Sequence, residues 1–263
     1  MNNLNRKMKE QWEKIASINT YYGIDACPDF ESVVDIDEQE FWQRGSETGE
    51  RLLNVLNLNN PSLLTMVEIG CGIGRMTQYF AQKFGKVYAF DISENMLQMA
   101  KDKWGHLQNI EFILGSGSDL KPIKNNCIDL VFSFIVLQHV LREEIVLSYI
   151  KECGRVLRTN GIAFLQFRTY TPEMRISENP IKKVLLFPWR KYIKPTMVRS
   201  GSKRRVNPVN SLNETFDQEF EVWHGCKVST LAVEDVAKRA KLDIVNIEGK
   251  NTQYTYYTFK KAK

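Results

Sequence analysis

Three glycines at alternate positions, Gly70, Gly72 and Gly74, stand between an apolar run at 63–69 and a segment of helical spacing at 75–84. This strand, glycine turn and helix constrain the chain more than any other feature. Glycine lets backbone approach a ligand closely, and a helix N-terminus offers unpaired N–H groups to a negative group. One strand later, at 86–91, Asp91 ends an apolar run, where a carboxylate can accept both hydroxyl hydrogens of a ribose. Together the two features predict a nucleoside site on an α/β fold.

The rest of the chain keeps that rhythm. A helix is expected at 47–58, stopped by Asn-Leu-Asn-Asn-Pro, and another at 94–104 with Ser93 as its N-cap. Strands are expected at 110–114, 128–134 and 162–167. Helices are expected at 142–157, ended by Thr159-Asn160-Gly161, and at 231–240. Runs at 242–247 and 254–259 follow each other with no helix between and should pair antiparallel. Strands alternating with helices predict a mostly parallel sheet covered on both faces.

The 263 residues are 43% hydrophobic and 25% charged, enough for one large domain or two small ones, and inconsistent with a disordered, collagenous or coiled-coil chain. No apolar run approaches the about 20 residues a membrane helix needs. The polar N-terminus has no signal-peptide core behind it. Five widely spaced cysteines (Cys27, Cys71, Cys127, Cys153, Cys226) form no C-x-x-C pair. They read as reduced thiols of a cytoplasmic protein, with no disulfide and no zinc site.

Charge is uneven. Residues 181–213 hold nine basic side chains (Lys182, Lys183, Arg190, Lys191, Lys194, Arg199, Lys203, Arg204, Arg205) and no acidic one. Taking those nine from the net +5 leaves the remainder at −4. With Pro180, Pro188, Pro195 and Pro208 interrupting regular structure, the stretch 168–220 is expected to be an insertion over one face of the domain. It fits a lid for an anionic small substrate, a nucleic-acid surface with Trp189 and Tyr192 stacking bases, or a membrane-surface element around Val184-Leu-Leu-Phe-Pro-Trp189. Its place between the fifth strand and the last helix favours the lid.

Dinucleotide enzymes use G-x-G-x-x-G, whose third glycine admits a pyrophosphate. Here the position three after Gly72 is Arg75, which suits a nucleoside with a carboxylate tail that the arginine could pair. The stretches Val67-Glu-Ile-Gly-Cys-Gly-Ile-Gly-Arg-Met-Thr77, Val87-Tyr-Ala-Phe-Asp91-Ile-Ser93 and Arg155-Val-Leu-Arg-Thr-Asn-Gly161 resemble class I S-adenosylmethionine-dependent methyltransferases. The resemblance covers about 50–167 and 228–263. It implies a Rossmann-like, seven-stranded, mostly parallel sheet with an antiparallel last strand and helices on both faces. That core would be 46–167 and 221–263, beside an N-terminal helical cap (1–45) and the inserted lid (168–220). It implies S-adenosyl-L-methionine as cofactor, with Glu68, Gly70, Cys71, Gly72 and Gly74 in the methionine-side loop. Asp91 would take the ribose, Ile92 and Met96 would flank the adenine, and the Ser133 carbonyl would meet the methionine amine. Ser116, Gly117 and Ser118 lie in the loop that meets the adenine amino group; relatives often carry an acid where Ser116 stands. Relatives also cover the cofactor with an N-terminal segment, which assigns Tyr22 and Arg44 to the cofactor; Trp12 is as readily a docking aromatic.

Methyl transfer to oxygen or an amine calls for a base near pH 7, and histidine is the first choice. His106 falls in a polar loop. His139 follows the fourth strand at the ligand-binding edge of the sheet, and His224 lies where the insertion returns; both are candidate bases. The fourth strand is followed by neither an Asn-Pro-Pro-Tyr type of clamp nor a Pro-Cys pair, which disfavours base amines and pyrimidine rings as acceptors. The expected activity is methylation of an oxygen or aliphatic amine on a small, anionic metabolite. A nucleoside-binding protein without turnover and an RNA methyltransferase using the basic insertion are the alternatives, and a dinucleotide oxidoreductase is a weaker third.

Overall fold

The computed structural model describes residues 3–25, 38–171, 219–252 and 254–263. Helix α1 (Asn3–Ile24) is kinked at Asn19, and α2 is Glu38–Leu56. Then come β1 (Thr65–Ile69), α3 (Thr77–Lys83), β2 (Lys86–Asp91), α4 (Glu94–Trp104), β3 (Ile110–Leu114), β4 (Ile128–Ser133), α5 (Glu143–Val156) and β5 (Leu157–Phe167). The last elements are β6 (Thr169–Tyr170), α6 (Glu221–His224), β7 (Val228–Ser229), α7 (Thr230–Arg239), β8 (Leu242–Glu248) and β9 (Thr255–Lys261). The main sheet runs β3-β2-β1-β4-β5-β9-β8, and β9 lies antiparallel to both neighbours. This is the seven-stranded arrangement expected from the sequence.

Alternation along the central strands builds a core on each face. Val67, Val131, Ala163 and Leu165 point toward α5 and α7, while Met66, Leu130, Phe132 and Phe164 point toward Leu52 of α2 and Phe80 of α3. Strands buried on both faces carry continuous apolar runs, which is why the β4 run shows no alternation in the sequence. Ser93 caps α4 as expected: its hydroxyl accepts from the Met96 amide at 3.1 Å.

Several elements differ from expectation. Helix α2 starts at Glu38 and runs through the anticipated boundary at 45. Helix α3 begins at Thr77 instead of 75, because Gly70, Gly72 and Gly74 all have positive φ and no right-handed helix can pass through them. Thr159-Asn160-Gly161 does not precede β5 but bulges inside it. Ile128 pairs with Leu157 and Leu130 with Ile162, and Asn160 takes φ 66° to absorb the excess residues. A small parallel pair, β6 with β7, was not anticipated. His224 lies in a short helix, not a strand. Most of the expected insertion, with its nine basic residues, lies outside the described residues, as does Cys27. Cys71, Cys127, Cys153 and Cys226 are free thiols. Among the described residues no helix is long and apolar enough to cross a membrane.

Gly225 follows α6 with φ 57° and ψ −154°, a region open essentially to glycine. A Cβ there would run into the Gln138 carbonyl. Gly225→Ala should lower stability by at least about 2 kcal/mol, since strain and a backbone clash act together. A thermal melt shifted by less than 2 °C would show that the chain relaxes there (roughly 2–4 °C per kcal/mol is usual for a domain of this size).

Candidate functional site

The C-terminal ends of β1, β2 and β4 open onto one cavity of about 1000 Å³, its mouth included. The glycine loop forms one wall. The Gly70 and Cys71 amides donate to the Phe90 carbonyl at 2.7 and 2.9 Å, tying the loop to β2. A side chain at Gly70 would strike Val136, and a Cβ at Gly72 would lie 3.0 Å from Ile24 of α1. Glycine is therefore required twice over, by conformation and by space.

Asp91 lines the cavity at the end of β2. One carboxylate oxygen accepts from the Gly72 amide at 2.8 Å and the other from the Ser93 amide at 2.9 Å. Burial raises its pKa, and these backbone bonds act against that rise. Each oxygen keeps a second lone pair, so the group can still accept two hydroxyls. Ile92 and Met96 line the same end. Gly115 and Gly117 do so with backbone, and a Cβ at Gly117 would meet Ile92 at 2.5 Å.

Glu68 is 2% exposed and borders the cavity beneath the loop. Its carboxylate accepts from the Thr77 hydroxyl at 2.6 Å. Burial pushes its pKa up to about 7, against the Thr77 bond and with a further push from Asp91. Cys71 beside it is a buried thiol whose pKa burial pushes well above the ordinary value. Arg75 also borders the cavity, yet its guanidinium is paired with Asp25 at 3.2 Å. Arg44 reaches the same Asp25 oxygen at 3.6 Å and Glu40 at 3.7 Å, and does not line the cavity.

Other expected residues fall elsewhere. The Ser116 hydroxyl turns onto its own loop, accepting from the Ser118 and Asp119 amides at 3.3 and 3.2 Å. The Ser116 carbonyl and the Ser118 hydroxyl are both taken by the Asn5 amide group, at 2.8 and 2.7 Å. The Ser133 hydroxyl is buried against the Ile69 carbonyl at 3.2 Å and pins β4 to β1. The side chain of Tyr22 lies outside what the structure describes. His139 lines the cavity from a short 3₁₀ turn, Leu137–His139. His224 is exposed and does not line it; its carbonyl accepts from Arg168. The expectation that both histidines reach one point is not met.

Helix α1 closes the cavity. Met8 and Trp12 line it, and Asn5 on the same face holds the loop after β3. Glu13 accepts from the Ser93 hydroxyl at 3.0 Å and the Glu94 amide at 2.6 Å, capping α4 from outside. A second face docks on the segment after the insertion: Lys7 pairs with Glu221, Lys14 with Glu219, and Gln11 accepts from the Val222 amide at 3.0 Å. Asn5, Met8, Trp12 and Ile15 recur at helical spacing, so the sequence did carry the pattern of a packed face. Nothing in it named the partners. Tyr149 of α5 also lines the cavity and went unnoticed as an interior helix residue; burial and the nearby Asp119 and Asp91 push its hydroxyl pKa up.

Residues 67–165 match the family model described as a methyltransferase domain. Among curated proteins, phosphoethanolamine N-methyltransferase 1 of Caenorhabditis elegans is 34% identical over 121 residues, covering 46% of this chain and 24% of that one. Demethylmenaquinone methyltransferase of Staphylococcus haemolyticus is 27% identical over 154 residues, covering 57% and 60%. The chain thus spans about a quarter of the length of the first of these relatives. Among solved structures, magnesium protoporphyrin IX methyltransferase from Synechocystis, with bound S-adenosylmethionine, superposes with a TM-score of 0.58 at 14% identity, over 100% of this chain and 99% of that one. Geranyl diphosphate C-methyltransferase from Streptomyces coelicolor gives 0.60 at 12% identity, over 99% and 98%. Residues 67–165 thus match a methyltransferase domain, and the fold is the one these solved methyltransferases share.

Glu68 yields a pH prediction. Its pKa is about 7 folded against about 4.5 when unfolded. The folded state therefore holds the proton to higher pH, and its contribution, present below 4.5, is lost as pH rises through 7. At 1.36 kcal/mol per unit, Glu68→Gln should gain about 3 kcal/mol relative to the native protein between pH 4.5 and 8. Parallel stability curves for the two proteins would show that Glu68 titrates normally.

Proposed function

We propose that this protein transfers a methyl group from S-adenosylmethionine to an oxygen or aliphatic amine of a small, anionic metabolite. One observation carries the reading: a single cavity joins a ribose-accepting carboxylate, a glycine cradle with a carboxylate beneath it, and an apolar end bounded by Trp12 and His139. S-adenosylmethionine supplies the electrophile, a methyl carbon on a sulfonium sulfur.

The residues fit that group. Asp91 accepts the ribose hydroxyls, with Ile92 and Met96 against the adenine. The Gly115–Gly117 backbone, not the Ser116 hydroxyl, faces the base. Glu68, ionised once its proton is displaced, faces the methionine ammonium through the loop. Arg75 meets the carboxylate if Asp25 gives way. A sulfonium against the face of Trp12 gains about 0.5–2 kcal/mol. Alignment in a cavity closed from water by α1 does most of the protein's work in a displacement of this kind.

The anionic acceptor rests on the basic run 181–213, which lies in the chain between β6 and α6. It accords with a relative named for phosphoethanolamine. The test is direct. Labelled S-adenosylmethionine is incubated with acceptor pools and labelled product is counted, with binding measured alongside by calorimetry. Binding without any labelled product would replace the enzyme by a nucleoside-binding protein; NADH binding instead would replace the cofactor. Label carried by RNA would transfer the activity to that polymer. Within the proposed reading, Asp91→Ala should weaken S-adenosylmethionine by roughly 10- to 150-fold, the equivalent of about 1.5–3 kcal/mol for lost charged hydrogen bonds. An unchanged calorimetric affinity would remove Asp91 from the ribose.

A further inference from the structure

We infer that His139 is a positioning residue, clamped between Gln138 and Val222 to hold the segment after the insertion against the cavity, and that it is not the proton acceptor of the reaction. The second half rests on the methyl-transfer reading above; the clamp itself does not.

The clamp is a chain of four hydrogen bonds whose direction is fixed by its ends. The Ile135 amide can only donate, and it donates to Gln166 Oε1 at 2.8 Å. Gln166 Nε2 then donates to Gln138 Oε1 at 2.9 Å. That leaves Gln138 Nε2 to donate to His139 Nε2, 3.0 Å away. At the other end the Val222 carbonyl can only accept, so His139 Nδ1, 3.0 Å away, carries the proton. Both ends demand the same tautomer: Nδ1–H, with the Nε2 lone pair already used. Gln138 and Gln166 are both buried, so neither amide can turn without stranding a polar group, which typically costs about 1–3 kcal/mol.

A base needs a lone pair facing its proton, and neither ring nitrogen offers one to the cavity. Two tryptophans flank the ring. Trp12 of α1 stands edge-on to the ring at 5.8 Å, and Trp223 of α6 lies tilted at 5.9 Å. The charged group acting on the ring is Arg168, just past β5, which opposes a second positive charge. Burial and Arg168 outweigh the bonds to the backbone of 222–223 and hold the imidazole pKa down to about 4. Ile135 shows what the chain of bonds maintains: φ is 54° at a β-branched residue lining the cavity, a conformation that persists only where surroundings enforce it. An amine acceptor would need no histidine there, since an apolar wall of Phe134, Ile135, Val136 and Val140 disfavours the ammonium form and releases its proton to water on entry.

The experiment is histidine nitrogen NMR on the whole protein loaded with S-adenosylmethionine, titrated from pH 5.5 to 8.5. Three histidines make assignment simple, with His139→Asn as the control that removes one signal. His139 should stay neutral as the Nδ1–H tautomer throughout; protonation between pH 6 and 7.5, or the opposite tautomer, overturns the inference. Hydrogen exchange reads the clamp. His139→Ala should speed exchange of the 219–229 amides at least tenfold, and His139→Asn, whose amide can still donate to Val222, should restore most of the protection. Unchanged exchange in His139→Ala also overturns it. With an acceptor from the labelled screen, the kcat–pH profile of His139→Asn should keep the shape of the native one between pH 6 and 7.5, whatever the change in KM. A profile that loses its limb there, with kcat down by the roughly 10²–10⁴ usual for a lost general base, returns His139 to that role. If no acceptor is ever labelled, the methyl-transfer reading fails while the NMR and exchange results still decide the clamp.

Discussion

The Asp91 carboxylate reaches across the end of the sheet, taking the Gly72 amide with one oxygen and the Ser93 amide with the other. Much of the site depends on this bridge. It sets the loop after β1 against the start of α4, and so places the glycine loop, the α4 cap and a cavity-lining carboxylate in one step. Backbone N–H groups that would otherwise be stranded at a buried turn are satisfied by a group that also faces the cavity. The positive φ values of Gly70, Gly72 and Gly74 are what allow the loop to meet it.

Around that bridge the buried polar groups are mostly neutral or matched. Glu68 is poised between protonation states, held by Thr77. Arg75 meets Asp25. Burial and Arg168 disfavour a charge on His139, and a run of amides whose direction is set at both ends fixes its tautomer. Low dielectric makes unmatched charge costly, so each group near the cavity is paired, neutral or waiting for a charged ligand to complete it.

Closure of the site comes from the N-terminal helix. α1 uses one face on the cavity and another on the segment 219–224, so it couples the loop at Ser116, held by Asn5, to the cavity wall at Trp12 and His139. The exposed ion pairs Lys7–Glu221 and Lys14–Glu219 each add little. The buried contacts of Met8 and Ile15 and the hydrogen bonds of Glu13 on α4 carry more of the docking.

Local signals in the chain sufficed for much of this. Strand period, helix caps and glycine spacing are short-range properties, so β2, α4 and β3 were legible to the residue, as were the loop at Gly70–Gly74 and the role open to Asp91. The limits were equally physical. Thr159-Asn160-Gly161 has the chemistry of a turn, and only pairing with β4 made it a bulge. Ser116 has the chemistry of a ligand contact, and only its own loop geometry turned it inward. His139 and His224 were equivalent as letters; tertiary packing set one, half-buried, between two tryptophans with both nitrogens engaged and left the other exposed. Sequence by itself determined the fold and the glycine loop with Asp91 beside it, because those follow from backbone conformation and periodicity. The tertiary structure decided which side chains border the cavity and in which protonation state, because that depends on partners far away in the chain.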